Sequence, residues 1–352
     1  METNSIFKSH LSKNLYFVRG MAIVLVVIGH VIGNEKDAGM RQMYDSDIPF
    51  LTWLTEFIYT FHMPIFFIIS VLSFATFSTK NTSLLSFLRS RFKRLVVPLL
   101  CWAPILLIFQ SLSKGAHVSF LDIINSVIQP WFIFWFFHAL FFASLLSFVF
   151  LEKLKSSGIY FLVSVTLFIL SFYFKEMQIY WYFNIFYAFG VFLARYLPKI
   201  HFTLKSLPSS IIFLILSLCA AMMLATNYSL GVDYNLFSKF VNGIIGFVLM
   251  YTIAYEEDKG DKINFFLKHL NSLLQSLKAS FLYLGKISMT VYLLHIPFGS
   301  GTRVFLIKVF GITDPSIHFV LGCAAAILGP IVIYNFLHSR SRIFMYSIGE
   351  AK

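Results

Sequence analysis

Ten apolar stretches, each about as long as a membrane span, constrain the fold of this chain more than any other feature. A membrane-spanning helix needs roughly 20 apolar residues. Of the 352 residues, 58% are hydrophobic and only 12% are charged, which is more apolar surface than a soluble core of this length buries. The sequence therefore predicts an all-α integral membrane protein, a bundle of about ten transmembrane helices. The predicted helices lie near residues 16–33, 55–77, 92–112, 130–151, 158–174, 180–197, 209–226, 237–255, 280–297 and 317–338.

The basic residues predict how these helices are oriented. An even number of spans places both termini on one side of the membrane. Only seven of the 28 Lys and Arg residues fall on the other side, and loops rich in Lys and Arg stay in the cytoplasm, so both termini are predicted to be cytoplasmic. The seven are Lys36, Arg41, Lys114, Lys175, Lys239, Arg303 and Lys308. Within one membrane domain, 1–352, we expect cytoplasmic tails at 1–15 and 339–352 and a cytoplasmic loop at 256–279.

Several functional classes lack their usual signatures in this sequence. The net charge is +12, but the basic residues are dispersed among loops, which argues against nucleic-acid binding. Cys101, Cys219 and Cys323 stand alone inside apolar stretches, so we assign them to packing and predict no metal site. The chain has no G-x-S-x-G, H-E-x-x-H or P-loop motif, the signatures of serine hydrolases, zinc peptidases and ATP-driven proteins.

Ionisable side chains inside the apolar stretches are the first candidates for function, because each costs roughly 2.5–3.5 kcal/mol on insertion scales. Arg19 and His30 lie eleven residues apart in the first predicted helix. At 1.5 Å per residue this separation is about 16 Å, half the hydrocarbon thickness. Arg19 is therefore expected at the cytoplasmic margin and His30 beyond the middle of the membrane. For His30 we favour a role in proton transfer, which a neutral imidazole suits.

Four further ionisable residues are predicted in the outer half of the membrane. They are Glu56 and His62 in the second helix, His138 in the fourth and His295 in the ninth. A histidine in a membrane helix also serves simply to hydrogen-bond a neighbouring helix. For His62 and His138 this structural interpretation is as good as a role in substrate binding.

A basic run, R-S-R-F-K-R-L, precedes the third predicted helix and contains Arg89, Arg91, Lys93 and Arg94. Arginine side chains bind phosphate groups through two parallel hydrogen bonds, so with Arg19 this run could hold a nucleotide-containing donor. Basic residues at the inner end of a helix are also ordinary lipid anchors, and spacing alone favours that interpretation.

Four motifs together resemble acyltransferase family 3 from the first helix to the last. They are Arg19 with ten residues before His30, F-H-M-P-I-F-F-I-I-S at 61–70, Arg91-x-x-Arg94, and L-G-K-I-S-M-T-V-Y-L-L-H ending at His295. Members of this family are integral membrane enzymes that pass an acyl group from cytoplasmic acetyl-CoA to a sugar hydroxyl. The segment W-Y-F-N-I-F-Y-A-F-G-V-F-L-A-R-Y looks most like the branch related to fucose 4-O-acetylase.

The resemblance implies roles for the candidate residues. His30 would be the catalytic base, Arg19 would contact the donor or its acyl group, and Arg91 and Arg94 would engage the CoA phosphates. We expect a neighbouring group, Glu56 or His295, to orient the imidazole, and no metal to be needed. The partners would be acyl-CoA, membrane lipid and a carbohydrate acceptor such as an O-antigen, capsule or exopolysaccharide precursor in the bacterial cytoplasmic membrane. Homo-oligomerisation stays open.

The chain departs from the family pattern at one position. The family usually has Ser-Gly where this chain has Ser70-Val71. Since glycine allows helices to approach closely, the substitution predicts a local change in the packing of the second helix.

Two functions without covalent chemistry compete with this interpretation. A glycolipid or polysaccharide transporter or flippase would also be helical with a basic inner face. Transporters tend to show paired repeats and helices broken by Gly or Pro at corresponding positions, and the sequence shows neither. A membrane sensor or interaction protein would have no need for Arg and His inside the membrane.

Overall fold

The computed structural model describes residues 2–44, 48–77, 83–206, 209–229, 236–258 and 277–350. Over these residues the chain is helical, as predicted, and each of the ten predicted segments overlaps a helix. Seven helical segments within the described ranges are long and apolar enough to cross a membrane, fewer than the ten predicted. They are His10–Ile32, Pro49–Phe74, Leu84–Leu112, Phe120–Lys153, Leu236–Ala254, Ser288–Phe310 and Pro315–Leu337. The predicted loop 256–279 lies mostly outside the described residues.

The helices belong to two compact units. The first unit comprises Met1–Phe77 and Phe189–Ser288, and the second comprises Ser78–Ala188 and Met289–Lys352. The first contains α1 (Glu2–Ile32), α2 (Pro49–Tyr59), α3 (His62–Phe77), α10 (Ser209–Ser229), α11 (Leu236–Asp258) and α12 (277–286). Helix α9 (Gln178–Ser206) contributes to both units. Helix α1 therefore extends through most of the segment 1–15 that was predicted as a tail.

The second predicted helix is two helices with a break at Thr60 and Phe61. Helix α2 ends at Tyr59, and the Thr60 hydroxyl donates to the Phe57 carbonyl at 2.7 Å. Helix α3 begins at His62, which places Pro64 in its first turn. Proline has no N–H and is tolerated in a first helical turn, whereas inside a helix it removes a hydrogen bond. Pro64 therefore explains why one apolar stretch forms two helices.

Glycines set the closest helix contacts of the first unit. A methyl group at Gly20 on α1 would overlap the Phe281 carbonyl on α12, and one at Gly285 on α12 would overlap the Tyr16 carbonyl on α1. The two backbones therefore touch at two points, and only residues without a side chain fit there. This contact accounts for the glycine in the L-G-K-I-S motif.

The second unit also consists of helices in the described residues. It contains α4 (Leu84–Arg91), α5 (Val97–Lys114), α6 (Phe120–Ile128), α7 (Trp135–Phe148), α8 (Ser157–Leu170), α13 (Ser288–Phe310), α14 (Pro315–Leu337) and α15 (Arg342–Ser347). Helix α13 continues past the predicted end at 297 and contains Arg303 and Lys308, which were predicted in a loop. The predicted tail 339–352 contains α15, with Phe344 buried.

The third predicted helix begins eight residues earlier than expected, at Leu84. Helices α4 and α5 form one rod joined by a π-helical turn at Phe92–Val96. The expectation that the basic run precedes this helix is therefore wrong, because the run lies inside it. The run is helical because apolar residues alternate with its basic residues and pack inside the protein. Phe87 and Leu95, on either side of Arg91, are both buried.

A buried polar cluster lies inside the second unit. The Tyr160 hydroxyl donates to Asn184 Oδ1 at 3.1 Å, and Asn184 Nδ2 donates to Ser164 Oγ at 2.9 Å. All three side chains are fully buried. Since each is hydrogen-bonded, the cluster joins α8 to α9 at little desolvation cost.

Candidate active site

Helix α1 carries two of the candidate residues at two heights. The Arg19 guanidinium donates to the Ser73 hydroxyl on α3 at 3.3 Å and lies 5.7 Å from the centre of the Tyr16 ring. His30 lies eleven residues further along α1, three turns away, and is half-buried. Helix α1 packs against α2, α3 and α11; Ser73 on α3 contacts Arg19, and a residue of α2 contacts His30.

The structure places Tyr59 against His30. Its hydroxyl oxygen lies 3.4 Å from His30 Nδ1, and the two rings meet edge to face with centres 5.9 Å apart. Gly29 makes room for this ring, since a methyl group at Gly29 would lie 2.8 Å from Tyr59 Cε2. Tyr59 is the last residue of α2, directly before the break at Thr60.

His62 begins α3 and lies in the same cluster. Its ring centre is 4.8 Å from that of Tyr59, and the residue is 1% exposed. Nδ1 lies 2.7 Å from the Ile58 carbonyl oxygen. Because a carbonyl only accepts hydrogen bonds, Nδ1 carries the proton and donates it. This bond agrees with the structural interpretation of His62, in which the imidazole joins neighbouring helices. With the proton on Nδ1, Nε2 has a lone pair that could accept a hydrogen bond from a substrate.

Glu56 lies one helical turn before Tyr59 on α2 and is half-buried. It therefore belongs to the same helix end as Tyr59 and His62. The structure thus brings together, within the first unit, the segment 56–62 and the end of α1 that carries His30. Arg19 and Ser73 lie at the other end of the contact between α1 and α3.

Arg91 and Arg94 lie in the second unit and have different environments. Arg91 is only 7% exposed, its guanidinium lies 5.3 Å from the centre of the Phe87 ring, and its charge acts on the nearby Tyr187 hydroxyl. Arg94 is exposed and lies within the π-helical turn. Such turns are frequent at functional sites. The guanidinium of Arg94 is therefore accessible to a soluble anion, whereas that of Arg91 is enclosed by protein.

The C-terminal segment packs against this turn. Gly349 has a φ of +73°, and a methyl group there would lie 3.0 Å from the Arg94 Cα atom. Trp102 Nε1 donates to the Ser347 carbonyl at 3.0 Å, and Lys93 Nζ lies 5.5 Å from the centre of the Tyr346 ring. These contacts hold the backbone that carries Arg94.

The other two candidate histidines also lie in the second unit. His138 on α7 is half-buried, and its Nε2 atom is buried without a hydrogen-bond partner among the described residues. His295 on α13 is 1% exposed, and its Nδ1 donates to the Tyr292 carbonyl at 2.7 Å. A ring nitrogen that is buried without a partner is costly, so Nε2 of His138 has the capacity for one further hydrogen bond. In both His295 and His62, Nδ1 is bonded to a backbone carbonyl three or four residues earlier in the chain.

Within the described ranges, no group of three or more His, Cys, Asp and Glu side chains is placed to hold a metal ion. The chemistry that the side chains themselves offer is proton transfer at His30 and anion binding at the arginines.

The comparison with protein families decides what this arrangement belongs to. A family model described as an acyltransferase domain, that of acyltransferase family 3, matches residues 13–335. The chain belongs to acyltransferase family 3. No curated protein and no solved structure matches it significantly. The match confirms the resemblance read from the four motifs, and it makes the chain a multi-pass membrane protein of an acyltransferase family, which implies an acyl donor and an acceptor.

The structure explains how this member of acyltransferase family 3 accommodates Val71. A methyl group at Gly190 on α9 would overlap Val71 Cγ1. Gly190 on the facing helix therefore leaves the space that the Val71 side chain occupies, and Val71 is buried there with 2% exposure.

Two residues at the candidate site were not predicted from the sequence. Tyr59 lies between Glu56 and His62, and Ser73 follows the F-H-M-P motif, but neither is ionisable at neutral pH. Since aromatic residues make up 18% of this chain, a single tyrosine carries no signal by itself. The spacing could have indicated Ser73, because Ser73 follows His62 by eleven residues, as His30 follows Arg19.

Proposed function

We propose that the chain transfers an acetyl group from acetyl-CoA to a sugar hydroxyl, on a surface polysaccharide or on its lipid-linked precursor. Membership of acyltransferase family 3 supports acyl transfer. The observation that carries the proposal is the environment of the His30 imidazole. His30 lies on α1, as does Arg19, is half-buried and contacts Tyr59 on α2. An imidazole in that state can take a proton from a hydroxyl group at neutral pH.

The chemical step consists of one bond made and one bond broken. The acceptor oxygen attacks the thioester carbonyl carbon while His30 takes the proton of the hydroxyl group. The C–S bond then breaks, and the proton passes from His30 to the departing CoA sulfur. The products are the acetyl ester and free CoA. General base catalysis of this kind contributes about 10²–10⁴-fold to a rate.

For the donor, we propose that Arg94 contacts the CoA phosphates. Its exposed guanidinium on a π-helical turn supports this role, because arginine binds phosphate through paired hydrogen bonds. Arg91 is proposed to act on the same donor from its buried position, through its charge and through the packing of α4. Arg19 is proposed to contact the acyl end of the donor, and its bond to Ser73 fixes where its guanidinium lies.

For the membrane setting, we propose about ten spans in the bacterial cytoplasmic membrane with both termini in the cytoplasm. The supporting observation is that 21 of the 28 basic residues fall on the side of the termini under that arrangement. The acceptor would then be modified towards the outer face, where His62 and His138 are proposed to contact it.

Expression in a glycan-producing bacterial host tests this function. The ester-linked acetate on purified surface polysaccharide would be measured by proton NMR, before and after mild alkaline treatment, with the empty vector as control. An alkali-labile acetate signal that depends on the chain is expected. If no ester appears but the amount of surface glycan changes, the transporter function replaces the enzyme.

A further inference from the structure

The environment of His30 points to a role for Tyr59, which lies outside the four motifs quoted from the sequence. Tyr59 Oη lies 3.4 Å from His30 Nδ1, slightly longer than the roughly 2.7–3.2 Å of most hydrogen bonds in proteins. Catalytic hydrogen bonds are often this long in the absence of substrate and shorten when it binds. The contact is therefore of the kind expected between a catalytic base and the group that orients it.

Three features hold the Tyr59 side chain in this place. Gly29, the neighbour of His30, leaves the space that the phenol ring occupies, since a Cβ atom there would lie 2.8 Å from Tyr59 Cε2. The ring also packs against His62, whose own proton is committed to the Ile58 carbonyl. His62 follows Tyr59 by three residues across the helix break, and the centres of the two rings lie 4.8 Å apart.

The tautomer of His30 decides whether it can act as a base. If Nδ1 carries the proton and donates it to the Tyr59 oxygen, Nε2 is left with the lone pair that takes the proton of the acceptor hydroxyl. If the tyrosine donates instead, Nε2 carries the proton and cannot act as a base. A phenolic oxygen accepts hydrogen bonds as well as donating them, so Tyr59 can stabilise the first of these two tautomers.

We propose that Tyr59 is a positioning residue that fixes the tautomer and the ring orientation of His30 by accepting a hydrogen bond from Nδ1. The inference rests on the proposed function, because it assigns a partner to the base of that reaction. Gly29 is part of the same arrangement, since the absence of a side chain there lets the Tyr59 ring lie close to His30.

The hydroxyl group is tested by Tyr59→Phe, which keeps the ring and its packing. CoA release from acetyl-CoA would be followed by thiol detection in inverted membrane vesicles of the glycan-producing host, with enzyme amounts matched by quantitative immunoblot. We expect kcat to fall about 10- to 100-fold, a part of what a general base contributes, while the KM for acetyl-CoA stays within about twofold. A merely structural loss would reduce the amount of folded enzyme and leave kcat per folded molecule unchanged.

Tyr182→Phe is the matched control. Its hydroxyl group is buried and has no hydrogen-bond partner among the described residues, so its removal also deletes one phenolic oxygen from the interior. We expect this variant to keep the kcat of the wild type.

Gly29→Ala tests the geometry without touching the hydroxyl group. The new methyl group displaces the Tyr59 ring, so kcat is expected to fall about fivefold in the wild-type background. In the Tyr59→Phe background the same change should have no further effect on kcat, because the bond it disturbs is already gone. Independent, multiplicative losses in the double variant would overturn the inference.

The outcomes separate the two levels of the argument. If the wild type releases no CoA, or His30→Ala releases it as fast as the wild type, the proposed function fails. If both behave as expected but Tyr59→Phe keeps more than half of the wild-type kcat, only the inference about Tyr59 fails.

Discussion

The Arg19 guanidinium donates a hydrogen bond of 3.3 Å to the Ser73 hydroxyl, and this bond joins α1 to α3 at the end of their contact away from His30. Helix α1 therefore contacts its neighbours at two positions along its length. Arg19 contacts Ser73 at one position, and His30 contacts the segment 59–62 at the other. The eleven-residue spacing along each helix, about 16 Å, keeps the two positions in register.

Substitutions at Arg19 and Ser73 test whether the function of Arg19 depends on its charge alone or also on the shape and position of its guanidinium. Arg19→Lys keeps the positive charge but loses the planar fork, so we expect acetyl transfer to fall at least tenfold. Ser73→Ala removes one hydrogen bond to a charged group and should cost about fivefold, equivalent to about 1 kcal/mol. Initial rates of CoA release measure both effects. Thr252→Val is the control, because among the described residues its hydroxyl group bonds to the Val248 carbonyl of its own helix. A loss equal to that of Ser73→Ala would contradict the assignment.

The two arginines of the basic run should respond differently to substitution. Arg94→Ala is expected to raise the KM for acetyl-CoA about tenfold with little change in melting temperature, because its side chain is exposed. Arg91→Ala leaves space against Phe87 and removes a charge beside Tyr187, so it should lower the melting temperature in detergent by several degrees. Equal effects of the two variants on KM and on stability would refute the distinction.

The pair Val71 and Gly190 predicts a rescue by a second substitution. Gly190→Ala would overlap Val71 and should destabilise the protein by about 1–3 kcal/mol. Val71→Gly restores the glycine of the family pattern and should recover most of that loss in the double variant. The melting temperature in detergent would be measured for the wild type, both single variants and the double variant. A double variant that melts no higher than Gly190→Ala would show that the two side chains do not share this space.

The contact between α1 and α12 predicts that Gly285 tolerates no side chain. Gly285→Ala sets a methyl group against the Tyr16 carbonyl, and backbone atoms cannot rotate away, so we expect a sharp loss of folded protein. Gly158→Ala is the control, since nothing lies within 4 Å of its new methyl group. Size-exclusion profiles of detergent extracts compare the two, and similar profiles would contradict the prediction.

The helical fold class could be predicted from the sequence because the length of an apolar stretch is a local property of the chain. The apolar stretches showed where helices form, but the break at Thr60 depends on a proline at the third position of the next helix, inside an uninterrupted apolar stretch. In the same way, the basic run was placed before a helix because its charges outweighed the buried Phe87 and Leu95 that make it helical.

The candidate residues were predicted only where chemistry makes them unusual in a membrane. Arg19 and His30 were identified because ionisable groups are expensive there. Tyr59 was missed because a tyrosine is an ordinary residue in this chain, and its role depends on a contact with another helix and on the space left by Gly29. The packing of Val71 against Gly190 is equally a tertiary contact, which a pattern along the sequence does not show.

The most direct test of the central claim is acetyl transfer by His30→Ala. Radiolabelled acetyl-CoA would be supplied to inverted membrane vesicles, and the ester-linked label on extracted glycan would be counted for the wild type, His30→Ala and His117→Ala. His117 is an exposed histidine between α5 and α6 and serves as the control. We predict label with the wild type and His117→Ala, and a loss of at least 100-fold with His30→Ala at matched protein. Full labelling by His30→Ala would contradict the account.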